Sequence, residues 1–183
     1  MKTKNKEIIL KGKGFIMRPC RKDDFISLVQ NANNKKIAKN LQNGFPNPYT
    51  KKDSKKTIKN ILKSYEKGFV RIFVIDVDGF AAGLIGGSIK MDRTFIFSFG
   101  YWLGEKYWGK GIATKAVRLY IKYVFNTFEN VKRIEAFTFT WNKSSQRVLE
   151  KNGFKFEGTL RKSYLKDGKI LDEYMFSKLR NER

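Results

Sequence analysis

Three groups of residues in this sequence have types and spacings that could do chemistry. The first is a glycine-spaced stretch, Gly104 through Thr114, reading GEKYWGKGIAT. Such a turn can offer bare backbone N–H groups to an anion, and phosphate is the usual guest. The second is Asn142 and Ser145, an amide and a hydroxyl three residues apart. The third is Cys20, the one thiol of the chain. Read as a nucleotide-binding P-loop, the stretch supplies Gly104, Gly109 and Lys110, but Gly111 stands where a magnesium-holding hydroxyl belongs. Read as a dinucleotide fingerprint, Gly109 and Gly111 fit the first two glycines, and Thr114 occupies the third position. A plain glycine turn that starts a helix fits the same residues.

What is missing narrows the chemistry further. The chain has no histidine. A histidine general base, a histidine-containing triad and a histidine-ligated zinc site are therefore excluded. Any base must be a carboxylate, a tyrosine, a backbone carbonyl or water. Cys20, flanked by Arg18, Pro19 and Arg21, reads as the end of a strand and not as a nucleophile. With one cysteine there is no internal disulfide, which fits a reducing cytoplasm.

The elements that must position these groups are legible around the turn. Phe95 to Leu103 is rich in aromatic and branched residues and predicts a strand. Beyond the glycines the period changes. Ala113, Ala116, Val117, Tyr120, Ile121 and Val124 mark one face of a helix. The order strand, glycine loop, helix presents free N–H groups and the positive end of a helix dipole.

Elsewhere, Phe15 to Arg18 predicts a first strand, and Asp23 or Asp24 a cap for a helix from Phe25 to Asn33. A polar stretch from Asn34 to Thr50 follows, held extended by Pro46 and Pro48. Its Phe45 and Tyr49 can line an acceptor pocket or staple the loop to the core. Asp53 opens another helix, ended by Gly68. Strands at 69–77 and 80–90 flank Asp78-Gly79, a hairpin signal. The strand at 132–140 is reached by a helical crossover and should run parallel to the central one. A short helix at 142–152 ends at Gly153, and a last hairpin turns at Asp167-Gly168. The expected architecture is a mixed, mostly antiparallel α/β sheet of six or seven strands with a central parallel pair and about four helices.

Two blocks, GYWLGEKYWGKGIATKAV and RIEAFTFTWNKSSQRVLEKNGFKFEGTLR, resemble the ribosomal-protein (RimJ/RimL-type) branch of the GNAT N-acetyltransferases. Gly111-Ile112-Ala113 matches the second half of that family's pyrophosphate loop. Trp108, favoured in this branch, stands where Gln or Arg is otherwise usual. Asn142, Ser145, Val148, Leu149, Glu150, Lys151, Gly153 and Phe154 match a second block. The resemblance runs from about Phe15 to Leu179, within one domain spanning residues 1–183.

The resemblance implies acetyl-CoA as donor and an amine as acceptor, and no metal is expected. It implies that pantetheine pairs along Tyr101, Trp102 and Leu103, whose N–H groups would polarise the thioester carbonyl. The pyrophosphate would rest on backbone N–H groups from Gly109, Lys110, Gly111, Ile112, Ala113 and Thr114. Asn142 would bond the pantetheine or cap a helix, and Ser145 would protonate the departing thiolate or serve only the helix. The branch often carries Glu two residues before the central Gly-Tyr; here that residue is Ser98. Glu105 and Glu173 remain as candidate bases, while Glu135 reads as structural.

The chain has 183 residues, with 39 Lys and Arg against 17 Asp and Glu, a formal net charge of +22. The excess is spread along the sequence. It can attract polyanions, ribosomal RNA among them, or can reflect a lysine-rich proteome. Hydrophobic residues make up 41%, which excludes a disordered composition. No apolar run approaches the roughly 18 residues of a membrane span, and the basic N-terminal segment carries too short an apolar run for a signal peptide. Taken with these features, the resemblance implies a cytoplasmic enzyme that acetylates a primary amine, a ribosomal-protein N-terminus being the leading acceptor. Two alternatives stay open: a small-molecule amine as acceptor, or a GNAT-like module that binds CoA or RNA without catalysis. Oligomeric state is not legible.

Overall fold

A computed structural model of the chain describes residues 8–182; the basic segment at 1–7 lies outside them. Eight strands form one sheet: β1 (Leu10–Gly12), β2 (Phe15–Arg18), β3 (Val70–Val77), β4 (Phe80–Lys90), β5 (Arg93–Leu103), β6 (Arg133–Phe139), β7 (Lys155–Lys166) and β8 (Lys169–Leu179). Their spatial order is β1-β2-β3-β4-β5-β6-β8-β7. Every neighbouring pair is antiparallel except β5 and β6. Five α-helices accompany the sheet: α1 (Phe25–Ala32), α2 (Lys35–Asn40), α3 (Lys51–Ser64), α4 (Ile112–Thr127) and α5 (Lys143–Glu150).

Alternation along the strands divides the core between the two faces of the sheet. On one face α4 buries Ala116, Val117, Tyr120 and Val124 against Ile85, Phe97 and Phe99. The Tyr120 hydroxyl satisfies itself there by donating to the Arg71 carbonyl at 2.7 Å. On the other face α1 and α3 bury Leu28, Ile58 and Ile61 against Val74 and Ala81, with Ile72, Leu84 and Trp102 packed alongside. The crossover through α4 makes β6 parallel to β5, as the spacing predicts.

The structure adds one strand and one helix to the expectation. β1 spans three residues and α2 six, both too short to show a full period in sequence. α2 occupies part of the stretch read as extended, because Asn34 caps it by accepting from the Lys36 N–H. Two capping assignments change as well. Thr50, not Asp53, is the N-cap of α3; Asp53 is the reciprocal partner three residues on, and the two form a capping box. Asp24 does not cap α1 with its side chain. Its carboxylate instead receives the buried Arg18 guanidinium at 2.7 and 2.9 Å. Arg18 also donates to Asp76 at 2.6 Å, so its charge is neutralised inside the fold.

Candidate active site

The site begins where a ladder stops. β5 and β6 pair at Ile96–Arg133, Phe97–Ile134 and Ser98–Glu135, and no further. On their outer sides both strands stay paired, β5 with β4 as far as Leu103 and β6 with β8 as far as Phe139. From Phe99 and Ala136 onward the two strands therefore part, and each turns an unpaired backbone edge to the gap. Such edges call for a partner, and an extended ligand can supply it. A cavity of about 1180 Å³ occupies the gap and reaches both faces of the sheet.

At the α4 face, the glycine stretch forms the rim. Gly109 and Gly111 sit at φ of +73° and +71°, a left-handed backbone that a side chain disfavours. Gly111 is the N-cap of α4 and no side chain caps that end. The intrahelical ladder starts only with the Lys115 N–H bonding the Gly111 carbonyl, at 3.1 Å. The N–H groups of Ile112, Ala113 and Thr114 thus precede the ladder. Trp108, Gly109, Gly111, Ile112, Ala113 and Thr114 line the cavity; Lys110 does not, and its ammonium lies 6.0 Å from the Tyr107 ring centre. Trp108 also ties the loop to the end of β5, because its indole N–H donates to the Leu103 carbonyl at 2.7 Å.

Tyr101, Trp102 and Leu103 all line the cavity, but their side chains go to different places. Trp102 packs on the α3 face, whereas Tyr101 packs on the α4 face beside Phe99. The Tyr101 hydroxyl is 3.0 Å from the Ser145 hydroxyl. Burial pushes the Tyr101 phenol up to about 12, and the hydrogen bond shared with Ser145 opposes it. Asn142 is the N-cap of α5: its Oδ1 accepts from the Ser145 N–H at 3.3 Å and the Ser144 hydroxyl at 3.1 Å. The cap uses only the oxygen. The Asn142 Nδ2 has no partner among the described residues, and Asn142 and Ser145 both line the cavity.

Sequence reasoning passed over one set of residues. Lys143, Arg147 and Lys151 fall at i, i+4 and i+8, one stripe along α5 and its C-cap, and all three line the cavity. None has an ion-pair partner among the described residues. The basic spacing was the available signal, obscured by lysines everywhere else in the chain.

The carboxylates are elsewhere. Among the described residues no Asp or Glu lines the cavity, and Ser98 does. Glu105 is held low by hydrogen bonds from Lys36 and Asn34, outside the cavity. Burial alone would raise the Glu135 carboxyl, but hydrogen bonds from Lys90 and Arg133 outweigh it and hold the group low, at the closed end of the gap. Glu173 accepts from Gln42 and Ser163, each at 3.2 Å, and meets the cavity only through Gln42. Cys20 is buried and its thiol is pushed up to about 12 by burial, the state of an inert side chain. Among the described residues no group of three or more His, Cys, Asp or Glu could hold a metal, and no helix is long and apolar enough to cross a membrane.

Comparison with known proteins bears on the same stretch. The family model of the acetyltransferase (GNAT) domain matches residues 15–155. An uncharacterized N-acetyltransferase, p20, of Bacillus licheniformis is 42% identical over 83 residues, which are 45% of this chain and 46% of that protein. The curated relatives at the head of the comparison are matched over less than two thirds of their own length. Among solved structures, RimL, the ribosomal L7/L12 alpha-N-protein acetyltransferase in complex with coenzyme A, superposes with a TM-score of 0.83 at 18% identity, over 94% of this chain and 98% of that one. The microcin C7 self-immunity acetyltransferase MccE, in complex with acetyl-CoA and AMP, does so at 0.82 and 23% identity, over 92% and 93%. Both are alike in fold.

Proposed function

Because the chain belongs to the acetyltransferase (GNAT) family, we propose that it transfers an acetyl group from acetyl-CoA to a primary amine. One observation carries the reading: the gap between β5 and β6 joins an uncapped helix N-terminus at one end to the Ser145 hydroxyl within a single cavity.

Acetyl-CoA supplies a thioester carbonyl and a thiolate leaving group. The chain's own groups divide the remaining work. Backbone N–H groups of Gly109, Gly111, Ile112, Ala113 and Thr114 receive the pyrophosphate, aided by the α4 dipole. Lys143, Arg147 and Lys151 receive further phosphate charge. The backbone edge of Tyr101 to Leu103 pairs with the pantetheine and polarises the carbonyl, and the Asn142 Nδ2 adds a donor. The amine nitrogen forms the C–N bond as the C–S bond breaks with its electron pair going to sulfur. Ser145 gives its proton to that sulfur and recovers one from water. The surplus proton of the amine passes to water, since no carboxylate among the described residues lines the cavity.

For the acceptor, two supports favour a ribosomal-protein N-terminus in the cytoplasm: the likeness to RimL and the net charge of +22, which steers toward an RNA-rich particle. The size of the cavity and the likeness to MccE, solved with AMP as well as acetyl-CoA, support a second reading, a small-molecule amine. Acetyl-CoA consumption, followed with ribosomal proteins, peptides and small amines, tests both. Ribosomes from a strain lacking the gene should accept acetyl, with binding that weakens steeply between about 50 and 200 mM salt. Modification of a small amine alone would give the assignment to the second reading.

A further inference from the structure

The α3 side of the cavity has a chemistry of its own. Its floor is a glycine pair, Gly86 opposite Gly100 in the β4–β5 ladder. A Cβ on Gly100 would meet nothing within 4 Å, so the space above that residue is open. The walls are aromatic. The Trp102 ring lies 5.8 Å from Phe45, which stacks on Tyr49 at 5.1 Å. Ile61 and Ile72 line the same side. The charged residues that line the cavity are Lys36, Lys143, Arg147 and Lys151, all cations.

We infer that the acceptor is a peptide N-terminus whose first residue carries a bulky apolar side chain, seated over Gly100 against the paired rings of Phe45 and Trp102. The inference rests on the acetyl-transfer reading. Two physical arguments carry it. An amine can attack only through a free lone pair, and the lining provides no carboxylate to take the ammonium proton. An α-amine, with an ordinary pKa of about 7.7–8.0, is neutral at pH 7 several hundred times more often than a lysine ε-amine at about 10.4. A polyamine or aminoglycoside would also bring several positive charges into a cavity whose charged lining residues are all cations. The open, aromatic-walled floor, for its part, gains from apolar surface and has no ionic partner to offer a polar side chain.

The test is a matched series of tetrapeptides beginning with Leu, Phe, Ala, Ser or Gly, together with spermidine, assayed on the wild-type chain, Gly100→Leu and Phe45→Ala. Leu and Phe starters should lead the series in kcat/KM. Gly100→Leu, which fills the floor, and Phe45→Ala, which removes a wall, should each lower the Leu-to-Gly ratio by roughly tenfold or more, the scale on which a hydrophobic pocket discriminates. Equal use of Gly and Leu starters, a lead for spermidine, or a ratio unmoved in both variants overturns the inference while leaving acetyl transfer standing. If no peptide of the series is acetylated while another amine is, this inference falls alone; if acetyl-CoA stabilises the chain but neither this series, ribosomal proteins nor a panel of small amines is acetylated, the acetyl-transfer reading falls with it.

Discussion

The hydroxyls of Tyr101 and Ser145 lie 3.0 Å apart, one at the parting edge of β5 and the other in the first turn of α5. The contact fixes the rotor of Ser145, whose backbone N–H is itself held by the Asn142 cap. With its phenol pushed up to about 12, Tyr101 stays neutral at physiological pH and can donate to Ser145 while Ser145 donates to sulfur.

From this pair we expect Ser145→Ala to lower kcat by roughly 10- to 1000-fold, the range for a proton-transfer group. KM for acetyl-CoA should barely move. Tyr101→Phe, acting only through Ser145, should lower kcat less, and the double variant should match Ser145→Ala alone, because groups that act as a unit are not additive. Additive losses in steady-state kinetics would mean that Tyr101 acts independently.

Acetyl-CoA should raise the melting temperature of the chain, as any ligand of the native state does. Gly111→Asp should abolish the shift by placing a carboxylate at the N-terminus of α4. Gly111→Asn imposes the same left-handed backbone, costing about 1 kcal/mol, without the charge. It should keep most of the shift. Equal loss in both variants, read by thermal denaturation, would assign the effect to backbone strain.

Removing a cation from α5 should weaken the donor and spare the chemistry. Arg147→Ala and Lys151→Ala should each raise KM for acetyl-CoA roughly tenfold, the worth of a charge-assisted hydrogen bond, with kcat little changed. The penalty should shrink as salt screens the phosphates. A penalty equal at low and high ionic strength would contradict a phosphate role.

The absence of a lining carboxylate sets the expected pH dependence. For an α-amine acceptor, kcat/KM should rise about tenfold per pH unit and level off near pH 8, where the amine itself loses its proton. Tyr101 adds no limb in that range. Tyr101→Phe should lower the profile without changing its shape. A large loss of kcat in Glu173→Gln would instead identify that carboxylate as a base.

Glu135 tests stability. Glu135→Gln should cost about 1.5–3 kcal/mol near neutrality, since it weakens hydrogen bonds from two cations, Lys90 and Arg133. The Glu135 carboxyl is held low in the fold, so its contribution is complete above the unfolded value of about 4.3 and is lost as pH falls through the lower folded value. Chemical denaturation of the two proteins should therefore differ at pH 6–7 and converge in acid.

The sequence alone determined the order of the elements and most of their bounds, because strand and helix periods and the Asp78-Gly79 and Asp167-Gly168 turns are local signals. It also determined the rim: Gly109 and Gly111 hold a left-handed backbone, and that requirement is local too. It placed Tyr101 and Ser145 on separate elements but could not join them, since residues 44 positions apart meet only through the parallel pairing of β5 with β6. The same holds for the cavity. A ladder that stops at Ser98–Glu135 is a fact about two strands held from their outer sides, and no window of sequence contains both. The tie that Trp108 makes between loop and strand end was likewise hidden, because an indole N–H finds its acceptor only once the loop has turned back. The α5 cations and the open floor at Gly100 were invisible for a related reason. A lysine or a glycine acquires a role from what stands opposite it, and that is decided only when helix, loop and sheet close around the same gap.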